Sequence, residues 1–225
     1  MNEKILEDLS IDCVVFGFDG SLKILLIKHK EGISKGKWAL PGGFVKRSES
    51  LDEAASRILQ ALTGISDIFL EQTKAFGEVN RFPTKRVVTI TYHALLNIND
   101  TLLKPGFTAD DVNWFKSDDL PTLPYDHNEI LAYSKELLRK KVRQEPIGFN
   151  MLPKKFTLLQ LQELYESILE ISLDKPNFRR KIDKMNLLVD TGERQKGVSY
   201  RAAKLFRFDE QVYESLKEKK FILDF

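Results

Sequence analysis

The segment Gly43–Ile65, GFVKRSESLDEAASRILQALTGI, restricts the fold more than any other part of the chain. It opens beside Pro41-Gly42-Gly43, where the backbone must turn sharply, and Ser50 stands where a helix cap is needed. Leu51, Ala54, Ala55, Ile58, Leu59 and Leu62 then recur at helical spacing to about Thr63, and Gly64 is a natural stop. The spacing predicts a turn, a helix of defined length with one apolar face, and a second turn.

The flanking sequence supplies strands. Ile11–Phe18 and Leu22–Lys28 are apolar runs separated by Asp19-Gly20, a hairpin signal. Further strands are expected over Trp38–Val45, Phe69–Phe76, Lys85–Asn97 and Val112–Lys116. Arg86–Leu96 alternates only weakly, which suits a strand buried on both faces. An amphipathic helix over Asn128–Val142 closes this part, so strands with an inserted helix point to an α/β or α+β sandwich. Arg143–Pro153, RQEPIGFNMLP, interrupts the periodicity with two prolines and a glycine. We therefore divide the chain into a domain over 1–143, a linker over 144–153 and a second domain over 154–225.

The second domain reads as two helices and a hairpin. Thr157 caps a helix to Leu169, and Leu173–Met185 forms another with Asp174 as its cap and Pro176 in the first turn. Leu187–Val189 and Lys204–Phe208 flank a polar loop, and a last helix covers Asp209–Lys219. This is the layout of a winged helix-turn-helix, making the whole chain an α+β sandwich followed by a winged helix.

Composition matters mainly through its distribution. The 225 residues carry a formal charge of +2, yet Lys175–Arg207 holds ten Lys/Arg against three Asp/Glu. An almost neutral total thus hides an acidic body and a basic patch. Cys13, the single cysteine, cannot form an internal disulfide and fits a reducing cytoplasm. No signal peptide is read at Met1–Ser10, and no apolar run approaches the roughly 20 residues that cross a bilayer.

The basic patch suggests DNA. Lys155, Lys175, Arg179, Arg180, Lys181, Lys184, Arg194, Lys196 and Arg201 are the candidate cationic contacts, and Asn177 is placed to reach a base edge. ERQKGVSYR, Glu193–Arg201, has the glycine and cations of a wing tip. A merely solvated basic helix, or a surface that docks an acidic protein, is the alternative.

The opening segment resembles the Nudix box: Gly, five residues, Glu, seven residues, then Arg-Glu-apolar-x-Glu-Glu-x-Gly-apolar. Gly43, Glu49, Arg57, Leu59, Gly64 and Ile65 fall on that pattern, but Ile58, Ala61 and Leu62 stand where the family has its metal-holding glutamates. Hard divalent cations need oxygen ligands, which these three lack, so the box reads as catalytically degenerate and the chain as no enzyme. Glu49 and Arg57 are expected to form a structural salt bridge. The box together with EPIGFNMLPKKFTLLQLQELYE (Glu145–Glu166) and NFRRKI (Asn177–Ile182) is similar to Nudix-related transcriptional regulators of the NrtR type.

That resemblance implies a Nudix domain that senses a metabolite and a winged helix that binds a palindromic operator as a homodimer. Within it the chain leans toward the sugar-responsive, AraR-type branch, with a pentose such as L-arabinose as effector and an ADP-ribose-like nucleotide second. A Nudix frame without its metal still offers a pocket above the sheet, for which Asp12, Lys28, Trp38, Glu71, Glu78, Arg86, Asp126 and His127 are the candidate effector contacts. His29 and His93 lack the paired spacing of a metal site, and no cofactor is expected. The alternatives are a Nudix hydrolase acting on ADP-ribose or a related nucleoside diphosphate derivative, and a non-catalytic ligand-binding module that docks a protein.

Overall fold

A computed structural model describes residues 4–106, 108–145, 150–197 and 202–218, with side chains omitted at residues 213 and 216–218. Seven strands form one sheet: β1 (Ile5–Phe18), β2 (Leu22–His29), β3 (Trp38–Ala39), β4 (Gly42–Lys46), β5 (Glu71–Phe76), β6 (Val88–Asn97) and β7 (Ala109–Lys116). The order is β3-β2-β1-β6-β5, with β4 also on β1 and β7 also on β2. β1 begins earlier than its apolar run implies. Ile5 pairs with Lys46 and Ser10 with Phe44, across a register shift. The polar stretch before Ile11 is a strand because β4, distant in sequence, satisfies its backbone. Phe69, by contrast, lies outside β5 and is 77% exposed.

Helix α1 (Leu51–Thr63) is the helix of the opening segment. Ser50 accepts from the Glu53 amide while the Glu53 side chain accepts from the Ser50 amide, a capping box. Gly64 takes the left-handed conformation at the other end, with φ 77°. Ala54, Ala55, Ile58, Leu59 and Leu62 face a core shared with Ile11, Val15, Leu25, Ile27 and Tyr92. Two carbonyls at the end of α1 are met from outside the helix: the Lys104 amide donates to Thr63 and the Gly106 amide to Leu62. A side chain at Gly106 would lie 1.6 Å from the Ala61 oxygen, so that close approach requires glycine.

Helix α2 (His127–Gln144) follows β7. The chain divides into two compact units, one of residues 1–17 and 23–134 and one of residues 18–22 and 135–225. The division thus falls within α2, whereas the sequence reading ended the first domain at 143. Within the second unit Arg139 ties the later part of α2 to the end of α3, bonding Glu170 at 2.5 Å and the Ile168 carbonyl at 3.2 Å. Of the expected linker 144–153, residues 146–149 lie outside the described residues, while Met151 and Leu152 are buried.

The second unit contains α3 (Leu158–Leu169), α4 (Lys175–Lys184), β8 (Leu188–Arg194), β9 (Lys204–Phe208) and α5 (Glu210–Glu218). Thr157 caps α3 and Asp174 caps α4, as read from the sequence. Between these helices Glu166 accepts from the Leu173 amide at 2.8 Å and from Gln162 at 3.0 Å, which fixes the turn. Tyr165 meets Phe178 edge-on, and Phe156 bridges to Phe206 through two backbone bonds. The α+β class, a sheet domain followed by a winged helix, is the fold adopted. No helix among the described residues is long and apolar enough to cross a membrane.

Candidate effector cavity and DNA-binding face

The polar centre of the first unit is a buried ion cluster of Asp12, Arg81, Asp126 and His127, of which only Arg81 is not among the sequence candidates. Asp12 lies on β1, directly opposite Gly42 of β4. Asp126 and His127 stand at the head of α2, and Arg81 comes from the segment between β5 and β6. The Arg81 guanidinium donates to Asp126 at 2.7 and 2.8 Å and to Asp12 at 3.1 Å. Its side chain is 4% exposed, so both pairs are screened little by solvent. Burial alone opposes the Arg81 charge, but the hydrogen bonds and charges of Asp126 and Asp12 outweigh it and raise its pKa.

His127 completes the cluster. Its Nδ1 accepts the Leu40 amide at 3.1 Å, which assigns the neutral ring's proton to Nε2, 3.6 Å from Asp12 Oδ1. Burial lowers its pKa, against the pull of Asp12 and Asp126. His29 is lowered by partial burial as well. Gly42 has a steric role: a Cβ there would sit 2.2 Å from Asp12 Oδ1 and 2.9 Å from the Ile11 carbonyl. The Pro-Gly-Gly turn therefore makes room for the carboxylate.

Two adjoining cavities open beside this cluster. One of about 380 Å³ is lined by Asp12, His29, Glu31, Arg81, Phe82, Tyr125 and His127 among others. The other, of about 480 Å³, is bordered by Lys37, Glu78, Arg81, Asp126 and Glu129. Ile33, Ser34, Arg81 and Tyr125 border both. Tyr125 has φ 58°, an uncommon conformation for an aromatic residue, and its hydroxyl accepts from Ser34 at 2.7 Å. Its ring lies 5.0 Å from that of Phe82. These volumes, with apolar walls and convergent polar groups, are in the range of small-molecule sites.

The structure brings Asp12, Glu78, Asp126 and His127 of the eight candidates to these cavities. The other four line neither. Lys28 and Trp38 face each other across β2 and β3, with Trp38 edge-on to Phe115. Glu71 bonds His93, and Arg86 donates to the Glu78 carbonyl. Arg81, Tyr125 and Phe82 were not singled out, because nothing local marks a loop residue that becomes buried by folding. Two aspartates on separate elements were the available signal, since buried carboxylates require a cation.

The box helix does not suit a divalent cation. Ile58 and Leu62 are in the core, and Ala61 is exposed but its side chain offers no oxygen. Glu49 is held by Arg57 through bonds of 2.5 and 2.7 Å, which lowers its pKa, and it also accepts from the Lys46 amide. Among the described residues no group of three His, Cys, Asp or Glu could hold a metal.

The second unit presents a different chemistry. Phe178 and Ile182 bury one face of α4, while Lys175, Arg179, Arg180 and Lys184 are exposed and Lys181 is half-buried. Arg180 Nη2 donates to Asn177 Oδ1 at 2.8 Å, and the Asn177 amide donates to the capping Asp174. On the hairpin, Lys155 pairs with Glu193 at 2.5 Å and Arg194 donates to the Ala202 carbonyl. Lys196 is exposed, and Arg201 lies outside the described residues. Lys204, not among the candidates, pairs with Asp190 at 2.7 Å.

Residues 7–137 match the NUDIX domain and residues 148–208 the NrtR DNA-binding winged helix domain. The chain is 33% identical over 211 residues to the ADPR responsive transcriptional repressor NtrR of Acinetobacter baylyi, covering 92% of this chain and 84% of that one. The crystal structure of Shewanella oneidensis NrtR complexed with a 27mer DNA superposes with a TM-score of 0.79 at 26% identity, over 97% of this chain and all of that one. The NUDIX domain of the same protein complexed with ADP ribose matches with a TM-score of 0.54 at 28% identity, over 61% of this chain and 90% of that one.

Proposed function

The chain belongs to the NrtR-type regulators, with a NUDIX domain ahead of an NrtR DNA-binding winged helix domain, and we propose that it is a repressor whose NUDIX cavity binds a metabolite that controls its hold on DNA. One observation carries this reading: a winged helix with a cationic outer face follows a NUDIX unit whose box has no carboxylate at Ile58, Ala61 or Leu62. The first feature supplies phosphate contacts, and the second disfavours metal-assisted hydrolysis. As in the regulators it resembles, the protein acts in the cytoplasm as a homodimer on a palindromic operator, with half-sites about one or two DNA turns apart.

The effector is a pentose unit, and the charges around the cavities favour a free pentose such as L-arabinose. Asp12, Glu31, Glu78, Asp126 and Glu129 border them, against Arg81 and Lys37. The charge of Arg81 is already engaged by Asp12 and Asp126. A diphosphate would meet a wall of negative excess, whereas sugar hydroxyls can donate to those carboxylates. The Acinetobacter relative is named for its response to ADPR, which supports ADP-ribose as the second reading. ADP-ribose also presents hydroxyl donors, through its ribose units.

The test uses the full-length chain and fluorescence anisotropy on DNA from upstream of its own gene, with L-arabinose or ADP-ribose, each with and without Mg²⁺. The expected result is sequence-selective, salt-dependent binding that L-arabinose weakens about 5- to 150-fold, the range of an ordinary allosteric coupling. Release by ADP-ribose alone would reassign the effector. Mg²⁺-dependent turnover of ADP-ribose would overturn the non-catalytic reading. Absence of both selective DNA binding and turnover under all conditions would leave the ligand-binding module that docks a protein.

A further inference from the structure

The cations of α4 are not equivalent. At about 100° of rotation per residue, Arg180 projects about 180° from the midpoint of the buried pair Phe178 and Ile182. Arg179 and Lys181 lie about 80° to either side of that midpoint, at the flanks of the helix. Asn177 and Asp183 lie about 120° to either side and the exposed Lys184 about 140°, so the three share the outward face with Arg180. A face that only tracks phosphate would gain nothing from the exposed carboxylate of Asp183.

Arg180 is also held in place. Its Nη2 donates to Asn177 Oδ1 at 2.8 Å, and Asn177 occupies the first turn, where its amide is tied to Asp174. The bond spans one helical turn, and because residue 180 is exposed the remaining N–H donors of the planar guanidinium stay available. A guanine in the major groove offers two acceptors, O6 and N7, which that fork matches. The engaged Asn177 oxygen leaves its amide nitrogen as a donor for a neighbouring base.

From this geometry we infer that Arg180, oriented by Asn177, reads a guanine in each operator half-site and sets base specificity there, while Arg179 and Lys181 contact phosphates. The inference rests on the DNA-binding reading above and adds which residue discriminates. Lysine at position 180 keeps the charge but loses the fork, so it separates base reading from attraction to the backbone.

The test is in vitro selection from a pool of random duplexes with the full-length protein, followed by affinity measurements on the selected sequence. Wild type is expected to enrich half-sites with one invariant guanine. Arg180→Lys is expected to lose about 5- to 150-fold of the preference at that position alone, the span of one bidentate base contact. Its salt dependence stays as in wild type. Arg179→Ala is expected to weaken all sequences alike. Circular dichroism and an Arg180→Gln variant separate lost recognition from lost folding, because residue 180 is exposed. Unchanged base preference in both Arg180 variants would overturn the inference and leave the regulator reading intact. Failure of wild type to select any sequence would overturn both.

Discussion

Arg81 is the residue on which the first unit's polar interior depends. It is the shared partner of Asp12 and Asp126, whose side chains are 8% and 9% exposed. Removing one member of a buried ion pair leaves an uncompensated charge, typically a loss of about 3–5 kcal/mol. Arg81→Met is therefore expected to lower urea-unfolding stability by about that amount at pH 7. A loss below about 1 kcal/mol would mean the cluster is solvated, as exposed pairs are. His127 adds a pH dependence. Its folded pKa is lowered by burial below the ordinary 6.5, so between the two values the unfolded chain binds more protons. The stability from the neutral ring is complete above pH 6.5 and is lost as pH falls through the folded value. Unfolding free energies of wild type and His127→Gln between pH 5 and 8 are expected to show a decline below pH 6.5 that is steeper in wild type. Parallel curves would reject the buried neutral ring. Sequence reading reached Asp12, Asp126 and His127 but not Arg81, because the three anchored residues sit beside readable elements. Arg81 belongs to a polar loop and acquires its role only when the two carboxylates close on it.

Elements were legible where their ends carry their own chemistry. Ser50 and Gly64 bracket α1 and Thr157 and Asp174 cap α3 and α4; the Ser50, Thr157 and Asp174 side chains each accept a first-turn amide, and the Gly64 amide donates to Gln60. Local bonds of this kind need no distant partner. Asp174→Ala is expected to cost about 1 kcal/mol of stability, the usual worth of such a cap. It should also weaken DNA binding through the first turn of α4, as measured by anisotropy; full affinity would detach that turn from the interface. The start of β1 and the close pairing of β1 with β4 were not legible, since they depend on a strand about forty residues away in the chain. Gly42 lies at that pairing, and its substitution is sensitive for a tertiary reason. Gly42→Ala must displace the Asp12 carboxylate, because the new carbon would lie 2.2 Å from its oxygen. We expect about 1–3 kcal/mol of destabilisation from overpacking, together with loss of the ligand-induced thermal shift. An unchanged shift would exclude Asp12 from the effector contacts.

At the scale of the whole molecule the two kinds of charge have different duties. Lys175, Arg179, Arg180 and Lys184 of α4 and Arg194, Lys204 and Arg207 of the hairpin are exposed, whereas Asp12 and Asp126 of the first unit are balanced by the charged Arg81. DNA affinity is therefore expected to fall steeply between 50 and 200 mM salt, with each phosphate-contacting cation contributing about one unit to the slope. Binding of an uncharged pentose is expected to stay nearly constant over that range, as titration calorimetry would register. A steep salt dependence for the effector would instead favour an anionic ligand. The sequence by itself determined the box helix, the helix-turn-helix with its caps, the fold class and the segregation of charge, because periodicity, capping and composition act over a few residues. It also determined that positions 58, 61 and 62 carry no metal ligand. Only the tertiary structure decided that Arg81 joins Asp12 to Asp126, that Tyr125 and Phe82 form an aromatic wall, and that Lys28, Trp38, Glu71 and Arg86 line neither cavity. Those outcomes depend on which strands and loops meet. The desolvation that makes a buried charge seek a partner arises only once they have met.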